Sequence, residues 1–228
     1  MRSFAALVAS LLAIPACPLA AQEIAYEQVS QESGFTQGGG ERFVRTSAAA
    51  VPQGIATFGP FRVLGQTRAA LVDVTDARSP SAFAAMLAAY PGITLIEMVD
   101  CPGTEDDRAN LRLGRMIRAA GIATYVPKGG SVRSGGVELF LAGARRLADP
   151  GAEFAVHAWI DEDGREAGDY AASAPENRKY LDYYRQMGMD EAEARAFYAM
   201  TNSVRHASAR WLDGAEMAKW VRLDSTRG

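Results

Sequence analysis

Apolar and polar positions fall into blocks along the chain, and from Phe58 onward the blocks have regular lengths. The runs F-R-V-L-G (61–65) and A-A-L-V-D-V-T (69–75) are short and rich in β-formers, so each predicts a strand. An alanine-rich segment follows and predicts a helix, with Ser79 as cap, Pro80 in the first turn and Pro91-Gly92 as the stop. The next run, I-T-L-I-E-M-V (93–99), is almost continuously apolar, which suits a strand covered on both faces. After a loop, D-C-P-G-T-E-D-D, a helix carries apolar Leu111, Leu113, Met116 and Ile117 and ends at Gly121. I-A-T-Y-V-P (122–127) then reads as another strand.

Strand, helix, strand, helix, strand is the order of repeated βαβ units. The predicted fold is therefore α/β, with a parallel sheet, right-handed crossovers and flanking helices. Sites in such sheets form at the carboxyl ends of strands. D-C-P-G-T (100–104) and K-G-G-S-V-R-S-G-G (128–136) both begin at strand ends, so one site can gather both loops.

The second of these loops concentrates the candidate chemistry. Its glycines deliver Ser134 to the start of an apolar helix, where unpaired backbone N–H groups and the positive end of the helix dipole converge. That place suits a nucleophile whose reaction creates an oxyanion. A β-rich segment then brings His157, a candidate base. Each residue also has a plainer reading: Ser134 as a helix N-cap, His157 as a satisfied core histidine. Cys101 is a competing nucleophile, although a lone cysteine is more often a small buried hydrophobe. The acidic run Glu105, Asp106, Asp107 is read most simply as the start of the following helix.

Beyond His157 the chain turns polar and then gives a C-terminal helical segment. Helices are predicted over 177–187 and 190–200, separated by Gly188, with Tyr180, Tyr183, Tyr184, Phe197 and Tyr198 in packing positions. A short helix beginning near Asp213 packs Trp211 and Trp220.

Composition narrows the function classes. With 48% hydrophobic and 22% charged residues the chain can build one core. Net charge is -3 and the Lys and Arg residues are scattered, which argues against a nucleic-acid partner. Residues 1–21 combine a short positive start, an apolar stretch from Phe4 to Ile14 and a small-residue end at Ala20-Ala21, the pattern of a secretory signal too short to span a membrane. Residues 22–57 form an N-terminal extension and 58–228 the main domain. A lipoprotein signal ending at Cys17, with a lipid anchor there, is the alternative. With Cys17 removed, Cys101 is the lone thiol and no disulfide forms within the chain. One cysteine and two histidines show no ligand spacing, so neither a metal nor another cofactor is expected.

An apolar strand followed by Cys-Pro-Gly, a helix, a strand, a Ser-Gly-Gly loop, L-F-L-A-G-A-R-R-L-A-D-P-G-A-E-F-A-V-H and a final W-L-D-G-A-E-M resembles the Clp-protease-like branch of the crotonase superfamily, in particular its exported bacterial members. The resemblance runs from about Phe58 to Leu223. It implies a crotonase/ClpP-like α/β fold, with Ser134 as nucleophile and His157 as base. It also implies an oxyanion hole from the Gly103–Thr104 turn and the Gly135 N–H. Thr104 stands where the family has a second glycine. The family's third catalytic member, an aspartate, has no counterpart, because no carboxylate lies between Glu193 and Asp213. Asn202, through its side-chain carbonyl, is the candidate to orient the imidazole. His206, Asp161, Asp163 and Asp169 are further candidates. The expected protein is a periplasmic serine hydrolase acting on peptides or esters and assembling as a homo-oligomer. The alternative is a non-catalytic binding or scaffolding protein of the cell envelope that keeps the fold. An acyl-CoA enzyme fits poorly with export.

Overall fold

A computed structural model of the chain describes residues 49–225. The predicted signal segment, Cys17 and residues 22–48 of the extension lie outside the described residues.

Strands β1 (Ala56–Phe58), β2 (Phe61–Val63) and β3 (Arg68–Leu71) make an antiparallel meander. β3 then pairs in parallel with β4 (Leu95–Met98), β4 with β6 (Ala123–Val126), and β6 with β8 (Arg146–Ala148). Helix α1 (Ser79–Ala89) links β3 to β4, and α2 (Asp107–Ala119) leads on to β6, which gives the repeated βαβ order that the hydrophobic blocks predict. Phe61, Val63, Phe83, Met86, Ile96 and Met98 are all buried where this sheet meets its helices.

The parallel strands do not all join one sheet. D-C at 100–101 and S-V-R at 131–133, predicted as loop and turn, are short strands β5 and β7 of a second sheet. Its order is β10-β9-β7-β5, with β9 (Glu153–Val156) parallel to β7, β7 parallel to β5, and β10 (Arg210–Asp213) antiparallel to β9. Strands this short carry little periodicity; they are fixed by their partners, Asp100 opposite Ser131 and Arg133 opposite Ala155. The strand predicted over 69–75 likewise stops at Leu71.

Helix α3 (Gly135–Leu141) connects β7 of the second sheet to β8 of the first, and all seven of its residues are buried. A helix that is apolar almost all round has to sit inside the protein. The single exception to its apolar character is Glu138.

The start of α1 differs from expectation. Arg78, not Ser79, is the capping position, and its side chain makes no cap hydrogen bond. Asp76 organises the turn instead, accepting from the Arg78 N–H and the Ser79 hydroxyl. Helices α4 (Pro175–Gln186), α5 (Glu191–Thr201) and α6 (Gly214–Met217) form the C-terminal segment. Asp190 with Glu193 and Asp213 with Glu216 make reciprocal capping boxes at the starts of α5 and α6. Tyr183, Tyr184 and Phe197 are fully buried between these helices and the core.

Candidate active site

Ser134 sits between β7 and α3 with φ 50° and ψ -131°, and it is the only non-glycine with positive φ among the described residues. An L-residue in this region is strained by about 1–3 kcal/mol and holds the conformation only where its surroundings impose it. The surroundings here are explicit. The Ser134 N–H donates to the Ala155 carbonyl at 2.9 Å, and its own carbonyl accepts from the Val137 N–H at 2.9 Å. The bend lifts the side chain off the helix start, where it makes no capping hydrogen bond. The N-cap reading of Ser134 therefore holds for position but not for side-chain chemistry.

The parallel register that sets Arg133 opposite Ala155 brings the carboxyl ends of β7 and β9 to the same edge of the second sheet, with Ser134 following one and His157 the other. Both line a cavity of about 870 Å³, together with Thr104, Gly135, Asn202 and His206. Glycine is required twice around the serine. Gly103 has φ 134°, and a Cβ there would stand 3.0 Å from the Ser134 Cβ. A Cβ on Gly135 would meet the Thr104 Cγ2 at 2.6 Å. Ser134, Gly103, Thr104 and Gly135 are thus in mutual van der Waals reach.

Thr104 bridges to Thr75 in parallel fashion. Thr75 donates its N–H to the Gly103 carbonyl and accepts from the Glu105 N–H. Backbone groups alternate sides along an extended strand, so the N–H of Thr104 itself points away from Thr75. The Thr104 hydroxyl bonds the Thr75 carbonyl at 3.2 Å and the Asp106 carbonyl at 3.1 Å, which fixes the turn. The Gly135 N–H belongs to the first turn of α3, where no intrahelical acceptor exists.

Two buried polar residues support this arrangement, and neither was singled out from the sequence. Asn110 lies on the buried stripe of α2; its Nδ2 donates to the Gly135 carbonyl at 2.7 Å and its Oδ1 accepts from the Thr75 hydroxyl at 2.9 Å. It ties the Thr104 turn to the start of α3. A polar amide on an otherwise apolar helix face was the available signal. Replacing Asn110 with alanine removes both bonds and leaves the Thr75 hydroxyl only its longer contact to the Gly103 carbonyl at 3.3 Å; the expected cost is about 1–3 kcal/mol, read as a lower urea midpoint.

Glu138, one turn beyond Ser134, is the other. Its Oε1 accepts from the Tyr184 hydroxyl at 2.8 Å, and its backbone carbonyl accepts from the Tyr183 hydroxyl at 2.6 Å. Burial pushes the carboxyl up to about 7 from an ordinary 4.5, helped by the nearby Asp107 and opposed by the Tyr184 bond. The folded chain therefore holds this proton more tightly than the unfolded chain does. The resulting stability is complete below the unfolded value and is lost as the pH rises through about 7. The expected fall is about 3 kcal/mol, and a Glu138→Gln variant, followed by denaturant unfolding across this range, lacks it.

His157 is partly buried, and its Nδ1 lies 2.8 Å from the carbonyl of Ala158. A carbonyl only accepts, so Nδ1 is the donor in this contact. The third member expected from the sequence is placed differently. Asn202 caps the end of α5, where its Nδ2 donates to the Tyr198 carbonyl at 2.8 Å and to the Thr201 hydroxyl at 3.1 Å. Its Oδ1 is buried without a hydrogen-bond partner among the described residues, so it does not hold the imidazole. The reason is local: the helix-end carbonyl captures the amide. The three aspartates are committed elsewhere. Asp161 accepts from the Tyr170 hydroxyl and pairs with Arg165, and the Tyr170 bond draws its carboxyl below the usual range. Asp163 pairs with Arg165 at 2.6 Å, and Asp169 accepts from the Glu166 N–H at 2.8 Å.

Cys101 is buried beneath Gly136, with its thiol 3.5 Å from the Leu71 carbonyl. Of the acidic run, Asp106 caps α2 through the Ala109 N–H, and Asp107 accepts from the Tyr180 hydroxyl at 2.5 Å. Among the described residues no group of three or more His, Cys, Asp or Glu side chains is arranged to hold a metal ion. Nor is any described helix long and apolar enough to cross a membrane.

No protein-family model matches the chain, and no curated protein matches it in sequence. Solved structures do. A mutant of ClpP1 from Listeria monocytogenes is similar over 68% of this chain and 87% of its own, at 14% identity and a TM-score of 0.48. A mutant of the 1510-N membrane-bound stomatin-specific protease in complex with a substrate peptide is similar over 67% and 73%, at 16% identity and a TM-score of 0.44. Another mutant of the same protease is similar over 67% and 77%, at 17% identity and a TM-score of 0.44. The likeness is one of chain architecture. What the site can do follows from its own atoms.

Proposed function

We propose that the protein is a serine hydrolase in which Ser134 is the nucleophile and His157 the general base. The observation that carries this reading is the strained backbone of Ser134 at the head of α3, in a cavity shared with His157, whose Nδ1 faces the Ala158 carbonyl. Strain of this kind persists at sites that use it. In the reaction, the Ser134 Oγ bonds to the substrate carbonyl carbon as its proton passes to His157 Nε2. The carbonyl electron pair moves onto oxygen, where the N–H groups of Gly135 and of the Gly103–Thr104 turn receive the charge. Collapse expels the leaving group with the proton from His157. Water then repeats the sequence on the acyl-enzyme and restores the serine.

The substrate is a peptide or an ester. The cavity is large enough for an extended chain, and its wall carries the aromatic residues Trp159, Tyr180 and Tyr198. Residues 1–21 suit export, which places the activity in the periplasm, with anchoring at Cys17 as the variant form. Self-assembly follows from the sequence resemblance. The test is turnover: the purified protein releases product from peptide and activated-ester substrates with burst kinetics. Binding of the same peptides with no product released favours the non-catalytic alternative, whose support is the unplaced carboxylate.

A further inference from the structure

The two histidines of the chain meet. The rings of His157 and His206 lie 4.7 Å apart between centroids at an interplanar angle of 84°, edge against face. Both Nδ1 atoms converge on the carbonyl of Ala158, at 2.8 Å from His157 and 3.2 Å from His206. A carbonyl oxygen has two lone pairs and donates nothing, so each ring carries its proton on the nitrogen facing Ala158. The peptide itself is held in turn, because the Ala158 N–H donates to the Val204 carbonyl at 2.9 Å. The segment after α5 therefore fastens to the segment after β9 at the place where the candidate base sits.

We infer that the Ala158 carbonyl takes the place of the missing carboxylate as the orienting partner of His157, and that His206 is a positioning residue for this unit. An orienting acid in a serine hydrolase holds the imidazole in the tautomer whose far nitrogen can accept the serine proton, and it fixes the ring plane. The Ala158 carbonyl does both by accepting from Nδ1, without a negative charge. His206 restrains the same oxygen from a second side and packs perpendicular to the His157 ring, which limits ring rotation. The inference rests on the proposed roles of Ser134 and His157. It accounts for a stretch from Glu193 to Asp213 that holds a histidine but no aspartate.

With two histidines in the chain, imidazole ¹⁵N spectra are readily assigned, using a His206→Ala variant. In alkaline buffer, where imidazoles are neutral, the wild type should show His157 as the Nδ1–H tautomer. In His206→Ala that signature shifts toward a mixture, and acylation of Ser134 by a fluorophosphonate slows about 10- to 100-fold, the range in which outer partners of functional imidazoles act. His206→Asn places an amide N–H near the lost Nδ1 donor and restores both readouts to within about threefold of wild type, an expectation drawn from matching donor geometry. Unfolding midpoints identify any variant that fails to fold, and for such a variant the wild-type tautomer decides alone. An Nε2–H tautomer for His157 overturns the inference, as does a His206→Ala protein with unchanged tautomer and labelling, or a folded His206→Asn protein as impaired as His206→Ala. An Nδ1–H tautomer with no labelling of Ser134 contradicts the hydrolase reading instead.

Discussion

Replacing Ser134 with alanine is expected to leave the protein folded and to lower hydrolysis by at least about 10³-fold. The side chain makes no capping bond to α3, so its removal breaks no structural contact there. What disappears, in the proposed mechanism, is the atom that bonds to the substrate. Alanine at φ 50° inherits the backbone strain, so stability stays close to wild type. Glycine does not inherit it: Ser134→Gly should be inactive yet more stable by about 1 kcal/mol. Unfolding midpoints and initial rates on the same three proteins read this out. A serine retained only for packing gives no gain on substitution by glycine, and no loss of rate with alanine.

His157→Ala is expected to lose nearly as much, about 10³-fold or more, and the double variant Ser134→Ala/His157→Ala to be no worse than either alone. The logic is that of a unit: a base without its nucleophile has no proton to take, and the nucleophile without its base stays a weak alcohol. The structural cost of the substitution is small, since His157 is partly buried and the Ala158 carbonyl keeps its bond from His206. Multiplying losses in the double variant, measured as kcat/KM for an activated ester, would show that the two residues act independently and contradict the pairing.

Much of the fold was legible because it is written in long-range hydrophobic blocks. The run 93–99 and the helices around it identify a parallel α/β sheet, and α5 and α6 start where the sequence predicts helices, after Asp190 and Asp213. The second sheet was not legible. β5 and β7 are two and three residues long and exist because other strands flank them, a property of tertiary pairing rather than of local pattern. At the site, the glycines around Ser134 were readable and their necessity is now explicit: a Cβ on Gly103 or Gly135 would press on the serine or on Thr104. Asn110 and Glu138 were visible as polar letters in apolar surroundings, but their partners Thr75 and Tyr184 are distant in sequence. Asn202 fits the expected position, yet the carbonyls at a helix end claim its amide. The role inferred for Ala158 could not be read at all, because a backbone carbonyl has no letter in the sequence.

The most direct test of the central claim is covalent labelling of the wild-type protein with a fluorophosphonate, read by intact mass and peptide mapping. The account predicts one adduct, on Ser134, absent from Ser134→Ala and strongly reduced in His157→Ala. A folded wild-type protein that takes up no label, or takes it up at another residue, would contradict it.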